Sequence, residues 1–162
     1  MSGSTSKKVV VNRFDRETLQ GFVHPQSWLN AGGVELLTPA GAVSIVPYAD
    51  IKCVCFVREW EADGWRQERR LFGSRPKTEG LWVRALFRDN DFVEGLIAND
   101  LAQTDPQGFL LAPPDAFSNS QRVFIPRLAL KEFKVMGVVG SPARAKRAKP
   151  GAKPEAQIGL FE

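Results

Sequence analysis

The polar residues with the types and spacing for chemistry fall into a few short groups. Asp115, Asn119 and Arg122, with Ser118 between them, lie within eight positions and could form a polar binding loop. Asp and Asn also cap turns, and Arg122 can pair with Asp115, so local structure is the favoured reading of this group. Asp15/Glu17 and Asp89/Asp91 are carboxylate pairs spaced two apart. Both fall in expected hairpin turns, with too few further oxygen ligands to hold a cation. His24 is the sole histidine and is followed by Pro25, so it has no partner of its own kind for metal or proton relay. The chain contains no Gly-x-Ser-x-Gly elbow, no Gly-Lys-Ser/Thr phosphate loop and no dinucleotide fingerprint. No catalytic residue, cofactor or metal site is expected, and a non-enzymatic protein is.

Cys53 and Cys55 stand two apart in Ile51-Lys52-Cys53-Val54-Cys55-Phe56, a strand-like run. Both then point to one face, with a geometry poorly suited to a mutual disulfide. Two buried, reduced thiols are the expectation.

The end of the chain has a different character. Ser141 to Ala156 consists of Ala, Lys, Arg and Pro with Gly, too poor in large apolar residues to pack, and is expected to be disordered. Arg144, Lys146, Arg147, Lys149 and Lys153 could contact nucleic-acid phosphates as screened, sequence-independent charge. The chain then closes on Gln157-Ile158-Gly159-Leu160-Phe161-Glu162. The first five of these resemble the pentapeptide by which bacterial repair and replication proteins bind the DNA sliding clamp. The resemblance implies that Leu160 and Phe161 fill an apolar pocket, that Ile158 is the aliphatic position, and that Gln157 hydrogen-bonds at the rim. The alternative is that Ile158, Leu160 and Phe161 fold back as an added edge strand.

Charge follows the same division. Residues 141–162 carry five cations against two carboxylates, a net +3 of the whole chain's +4, which leaves +1 for the other 140 residues. The body therefore offers no basic nucleic-acid surface in its total charge. Apolar residues make up 43% and charged residues 25%, as in a soluble globular protein. No apolar run reaches the roughly 20 residues of a membrane span, and Met1 to Lys8 lacks a signal-peptide core. A cytoplasmic protein without membrane contact is expected.

The elements that must position these residues come from an internal repeat. Val43 to Val57 aligns with Arg122 to Met136 at a constant offset of 79, matching Pro47 with Pro126 and Lys52 with Lys131. Ile45/Phe124, Val46/Ile125, Ile51/Leu130, Val54/Phe133 and Phe56/Val135 are the apolar pairs. Upstream, Phe14 meets Phe87, Gly21 meets Gly95 and Gly33 meets Gly108 at smaller offsets, so the extra residues fall in turns. Each copy reads as five short strands. In the first they are Lys8–Phe14, Thr18–His24, Gly33–Thr38, Ala42–Pro47 and Ile51–Val57; in the second, Leu81–Arg88, Phe92–Ala98, Gly108–Pro113, Arg122–Pro126 and Leu130–Met136. Five short strands in some 50 residues suggest a small, partly closed barrel of the Sm or SH3 kind. The expected architecture is all-β: a barrel over 8–57, a connector over 58–80, a second barrel over 81–140 and the tail over 141–162. In the connector, Trp60, Trp65, Leu71 and Phe72 are expected to pack against the barrels. Stacking on single-stranded nucleic acid is the weaker alternative, since Glu59, Glu61, Asp63 and Glu68 are interleaved.

Arg13-Phe14-Asp15 with Leu19-Gln20-Gly21, and Ile51 through Arg58-Glu59-Trp60, resemble an uncharacterised bacterial domain family. That family carries an Arg-Phe…Gly hairpin and a Lys-Ala-Val-Phe-Phe-Val-Arg-Asp-Phe stretch. Gly108 to Asp115, Ser118-Asn119 and Arg122 to Ile125 are similar to its continuation, so the likeness spans roughly residues 8–137. This chain departs from the pattern at Cys53 and Cys55, and in lacking a glycine after Asp15. The resemblance implies a fold and no activity.

The function expected from these observations is a non-catalytic adaptor whose terminal peptide recruits a protein partner, the sliding clamp being the candidate. Two alternatives come from other classes. One is a structural or regulatory oligomer paired through exposed strands; the other is an RNA- or small-ligand-binding Sm-like module that uses the interface between the repeats.

Overall fold

The structure is a computed structural model that describes residues 6–60, 70–115 and 119–140. It is all-β, with β1 (Lys7–Arg13), β2 (Thr18–Val23), β3 (Leu29–Asn30), β4 (Gly33–Leu37), β5 (Val43–Val46), β6 (Ile51–Val57), β7 (Gly80–Phe87), β8 (Phe92–Ile97), β9 (Gly108–Leu111), β10 (Ser120–Pro126) and β11 (Leu130–Val139). Ten of these lie where the β-branched and aromatic runs predict them. The extra one, β3, is a two-residue bridge that pairs Leu29 with Val34 and Asn30 with Gly33.

Local geometry recurs between the halves. In the β1–β2 turn, Asp15 Oδ1 accepts a hydrogen bond from the Glu17 amide at 2.9 Å and Arg16 has φ 75°. In the β7–β8 turn, Asp89 Oδ1 accepts from the Asp91 amide at 3.1 Å and Asn90 has φ 73°. Pro47 and Pro126 each precede a single 3-10 turn, Tyr48–Asp50 and Arg127–Ala129, with φ/ψ of −61/140° and −63/145°. Gly33 and Gly108 sit where a Cβ would come within 2.2 Å of the Val46 carbonyl oxygen and 2.3 Å of the Ile125 carbonyl oxygen. Only glycine permits that approach of two backbones.

Strand order departs from two self-contained barrels. The larger sheet runs β3-β4-β2-β1-β6-β10-β9, with β5 also on β4, and curls into half a barrel; β11-β7-β8 form a second, small sheet. An isolated bridge between Leu96 and Ala112 links β8 to β9. Each half therefore follows one path, β6-β1-β2-β4-β5 and β11-β7-β8-β9-β10. Neither path closes on itself among the described residues. Instead β10 pairs with β6 of the other half, through Arg122↔Phe56, Val123↔Cys55 and Phe124↔Val54. A short, strongly bent sheet leaves two edges open, and this pairing covers one edge from each half.

The joined sheet is apolar on both faces. On one, Val9, Val11, Val34, Leu36, Val46, Ile51 and Val54 form a core completed by Phe124 from the second half. On the other, Val10, Cys53, Cys55 and Val57 pack with Val83, Ala85, Phe87, Leu111, Val123 and Ile125. Burial of β6 on both faces explains its near-continuous apolar sequence.

Candidate functional site

Where the halves meet, the joined sheet frames a cleft of about 360 Å³. The turn from Pro25 to Leu29 forms one wall, and residues 97–98, 103–105 and 108–110 form the other. Its floor is Trp28 against Phe124, ring centroids 5.0 Å apart and edge-to-face, with Phe56 5.2 Å from Trp28 on the far side. The rim is polar: Gln26, Ser27, Gln103, Thr104 and Asp105. Nearby, the Tyr48 hydroxyl donates to the Asn30 carbonyl at 2.6 Å. Burial and the Asp105 charge push that phenol above its usual pKa of 10.0, so it stays a donor. An apolar floor with a few polar rim groups is the ordinary make-up of a small-molecule or peptide cleft. It offers shape and hydrogen bonds.

A second, polar cleft of about 520 Å³ lies between the two hairpin turns. Lys52 Nζ stands 2.9 Å from Asp89 Oδ2 and 2.7 Å from Asp91 Oδ2, and Arg70 also bonds Asp91. Desolvation pushes the Asp91 carboxyl up, yet hydrogen bonds from Lys52, Arg70 and the Phe92 amide outweigh it and leave its pKa below the usual value. Asp89 is likewise held low: desolvation is overcome by Lys52 and the Asp91 amide. Arg88 lies over the Phe14 ring at 3.9 Å and donates to the carbonyls of Ala49 and Leu128, tying the same two halves together. These charges answer one another.

The residues singled out by sequence do not gather into one site. Asn119 joins the strand junction: its side chain donates to the Glu59 carbonyl at 2.8 Å and accepts from the Glu59 amide at 2.9 Å. Arg122 lies opposite Phe56 in the ladder and donates to the Gln121 carbonyl. Asp115 borders residues 116–118, which lie outside the described residues, as do Arg144, Lys146, Arg147, Lys149, Lys153 and the peptide Gln157, Ile158, Leu160 and Phe161. Asp15/Glu17 and Asp89/Asp91 occupy hairpin turns as expected, although Asp89 and Asp91 also carry the ion-pair network. Cys53 and Cys55 are buried and reduced, 3.7 and 3.5 Å from the Asn12 amide nitrogen. Trp60 packs edge-on to Phe22 and donates to the Val9 carbonyl, while Phe72 packs on Trp82. Trp65 lies outside the described residues and Leu71 is largely exposed.

Sequence reasoning missed Trp28 and Glu94, and it read Phe124 only as an apolar strand position. Glu94 is buried and accepts from Arg84 at 2.7 Å, the Phe72 amide at 3.1 Å and Trp82 Nε1 at 3.4 Å. Arg84 and Glu94, directly opposite on neighbouring strands, were a legible signal for it. Among the described residues no three His, Cys, Asp or Glu side chains converge on a metal position, and no helix is long and apolar enough to cross a membrane.

A family model described as a family of unknown function, DUF6982, matches residues 5–137, from β1 well into β11. The chain belongs to that family. The DUF6982 match takes in both halves, the strand junction and both clefts, and ends before the basic segment and terminal peptide. No curated protein and no solved structure matches the chain.

Proposed function

We propose that this DUF6982 member is a non-catalytic binding protein: two Sm/SH3-like five-stranded units in tandem form a platform, and the terminal peptide recruits a protein partner. The tandem-unit reading is supported by the matched turns, the Pro47/Pro126 3-10 turns and the parallel strand paths of the halves. The observation that carries the adaptor reading is how the body uses its polar groups. Lys52, Arg70, Asp89, Asp91, Arg84, Glu94 and Asn119 are bound to one another or to backbone in structural roles. Gln157-Ile158-Gly159-Leu160-Phe161 is not required by the repeat and lies beyond the family match. Its pattern fits the sliding clamp as partner, and sixteen intervening residues would give it a reach of up to about 50 Å when extended.

Purified bacterial sliding clamp, titrated with the full chain, tests this. Saturable binding is expected for the wild type and at least a tenfold loss for Leu160→Ala/Phe161→Ala. Equal binding by both, or by neither, removes the reading. Nucleic acid is assayed separately by filter binding at two salt concentrations, where binding through the tail cations should fall steeply with salt.

A second reading rests on the Trp28/Phe124 cleft, which would suit a small ligand or an unstacked RNA base at the interface of the units. Quenching of tryptophan fluorescence by oligonucleotides, lost in Trp28→Leu, would favour it over the adaptor.

A further inference from the structure

The β6–β10 junction uses one edge from each half, and the same two edges recur without a partner strand among the described residues. β10 is joined to β9 by Val123↔Leu111, Phe124↔Leu110 and Ile125↔Phe109. β5 is joined to β4 by Ser44↔Leu36, Ile45↔Glu35 and Val46↔Val34, the corresponding register. Likewise β6 sits on β1 through Phe56↔Val9, Cys55↔Val10 and Val54↔Val11, and β11 on β7 through Val135↔Val83, Lys134↔Arg84 and Phe133↔Ala85. The outer edge of β5 is thus the edge that β10 gives to β6, and the outer edge of β11 is the one that β6 gives to β10. No described strand pairs with either.

The side chains bear the mark of a missing neighbour. Phe124 is 1% exposed at the junction, while its counterpart Ile45 is 47% exposed. Val57 is 6% exposed, and its counterpart Met136 41%. Val43 and Val135, at the same open edges, are 64% and 57% exposed. β5 presents Val43 and Ile45 at its open edge without proline or bulge. β11 presents Phe133 and Val135 on either side of Lys134, its ladder to β7 keeping register from Glu132 to Val135 and shifting past it, at Met136. Backbone groups left open on such edges can take another strand. Arg75 donates to the Val138 carbonyl at 2.8 Å, so the open part of β11 is Phe133–Met136.

We propose that the occupant of these edges is a second copy of this chain. β11 of one molecule pairs antiparallel with β5 of the next, in the register of the internal junction: Val135 opposite Val43, Lys134 opposite Ser44 and Phe133 opposite Ile45. Ile45 then enters the neighbour's second-half core beside Phe133, as Phe124 enters the first-half core beside Val54. The two edges differ, so association is head-to-tail and either closes into a ring or continues as a filament. The inference rests on strand geometry and is independent of the terminal peptide.

Sedimentation of the full chain over roughly 1–100 µM tests it, the monomer being 17.9 kDa. The wild type should exceed the monomer mass as concentration rises. Ile45→Lys and Val135→Lys should each stay monomeric with unchanged circular dichroism; Val43→Lys or Met136→Lys replaces either one that fails to fold. An equimolar mixture of the β5-edge and β11-edge variants should form a dimer and stop there, since one intact junction remains. A wild type that is monomeric throughout, a single-edge variant that still associates, or a mixture that stays monomeric overturns the proposal. Leu160→Ala/Phe161→Ala should associate like the wild type; loss of association in that variant would assign it to the tail and overturn strand pairing.

Discussion

Lys52 Nζ lies 2.7 Å from Asp91 Oδ2 and fastens the last strand of the first half to the first hairpin of the second. The ammonium is largely buried and shared with Asp89, so the contact is stronger than an exposed pair. Lys52→Met is expected to cost about 1–2 kcal/mol in urea unfolding at pH 7. It should also flatten the acid limb of the stability profile. Both carboxyls are held below their ordinary value of 3.8 when folded. Their contribution is therefore fully present above about pH 4 and is lost as pH falls through the lowered folded values. A wild type and Lys52→Met with parallel curves between pH 5 and 2.5 would show that this network does not set acid stability.

Glu94 is the buried charge on which the small sheet depends. Glu94→Ala leaves the Phe72 amide and Trp82 Nε1 without their acceptor and Arg84 without its partner. A loss of about 2–4 kcal/mol is expected, with Glu94→Gln losing roughly half as much because an amide oxygen can still accept. Thermal melts of the two variants give the ranking, and equal destabilisation would contradict it.

Arg16 holds φ 75° in the first hairpin turn, where Asn90 serves in the second at φ 73°. An L side chain in this region costs about 1–2 kcal/mol, and asparagine tolerates it better than arginine. Arg16→Asn or Arg16→Gly should therefore stabilise the fold by about 0.5–1 kcal/mol, read as a higher melting temperature. Gly also loses more chain entropy, so Asn is expected to match or exceed it.

The ten strands read from sequence were legible because each alternates or saturates its apolar positions within four to ten residues, and because Gly33/Gly108 and Pro47/Pro126 mark the same bends twice. Their partners across the halves were not. β6 and β11 occupy equivalent places in the two halves, and only two positions distinguish which of them receives β10. The burial of Cys53 and Cys55 where the second copy has Glu132 and Lys134 was the available clue. The cleft was hidden for a related reason: Trp28 and Phe124 lie 96 positions apart and meet only through that pairing. Asn119 read as a binding-loop residue because its true acceptor and donor belong to Glu59, sixty positions earlier.

The strand β6 lies between β1 of its own half and β10 of the other, and each core takes side chains from both halves. Neither half is thus expected to be a foldon in its own right, since opening one strips Phe124 from the first core or Cys53, Cys55 and Val57 from the second. The molecule should melt in one calorimetric transition, and it must bring strands far apart in sequence together before either core rewards the chain. Its halves share turn geometry and strand paths, and they are expected to unfold together.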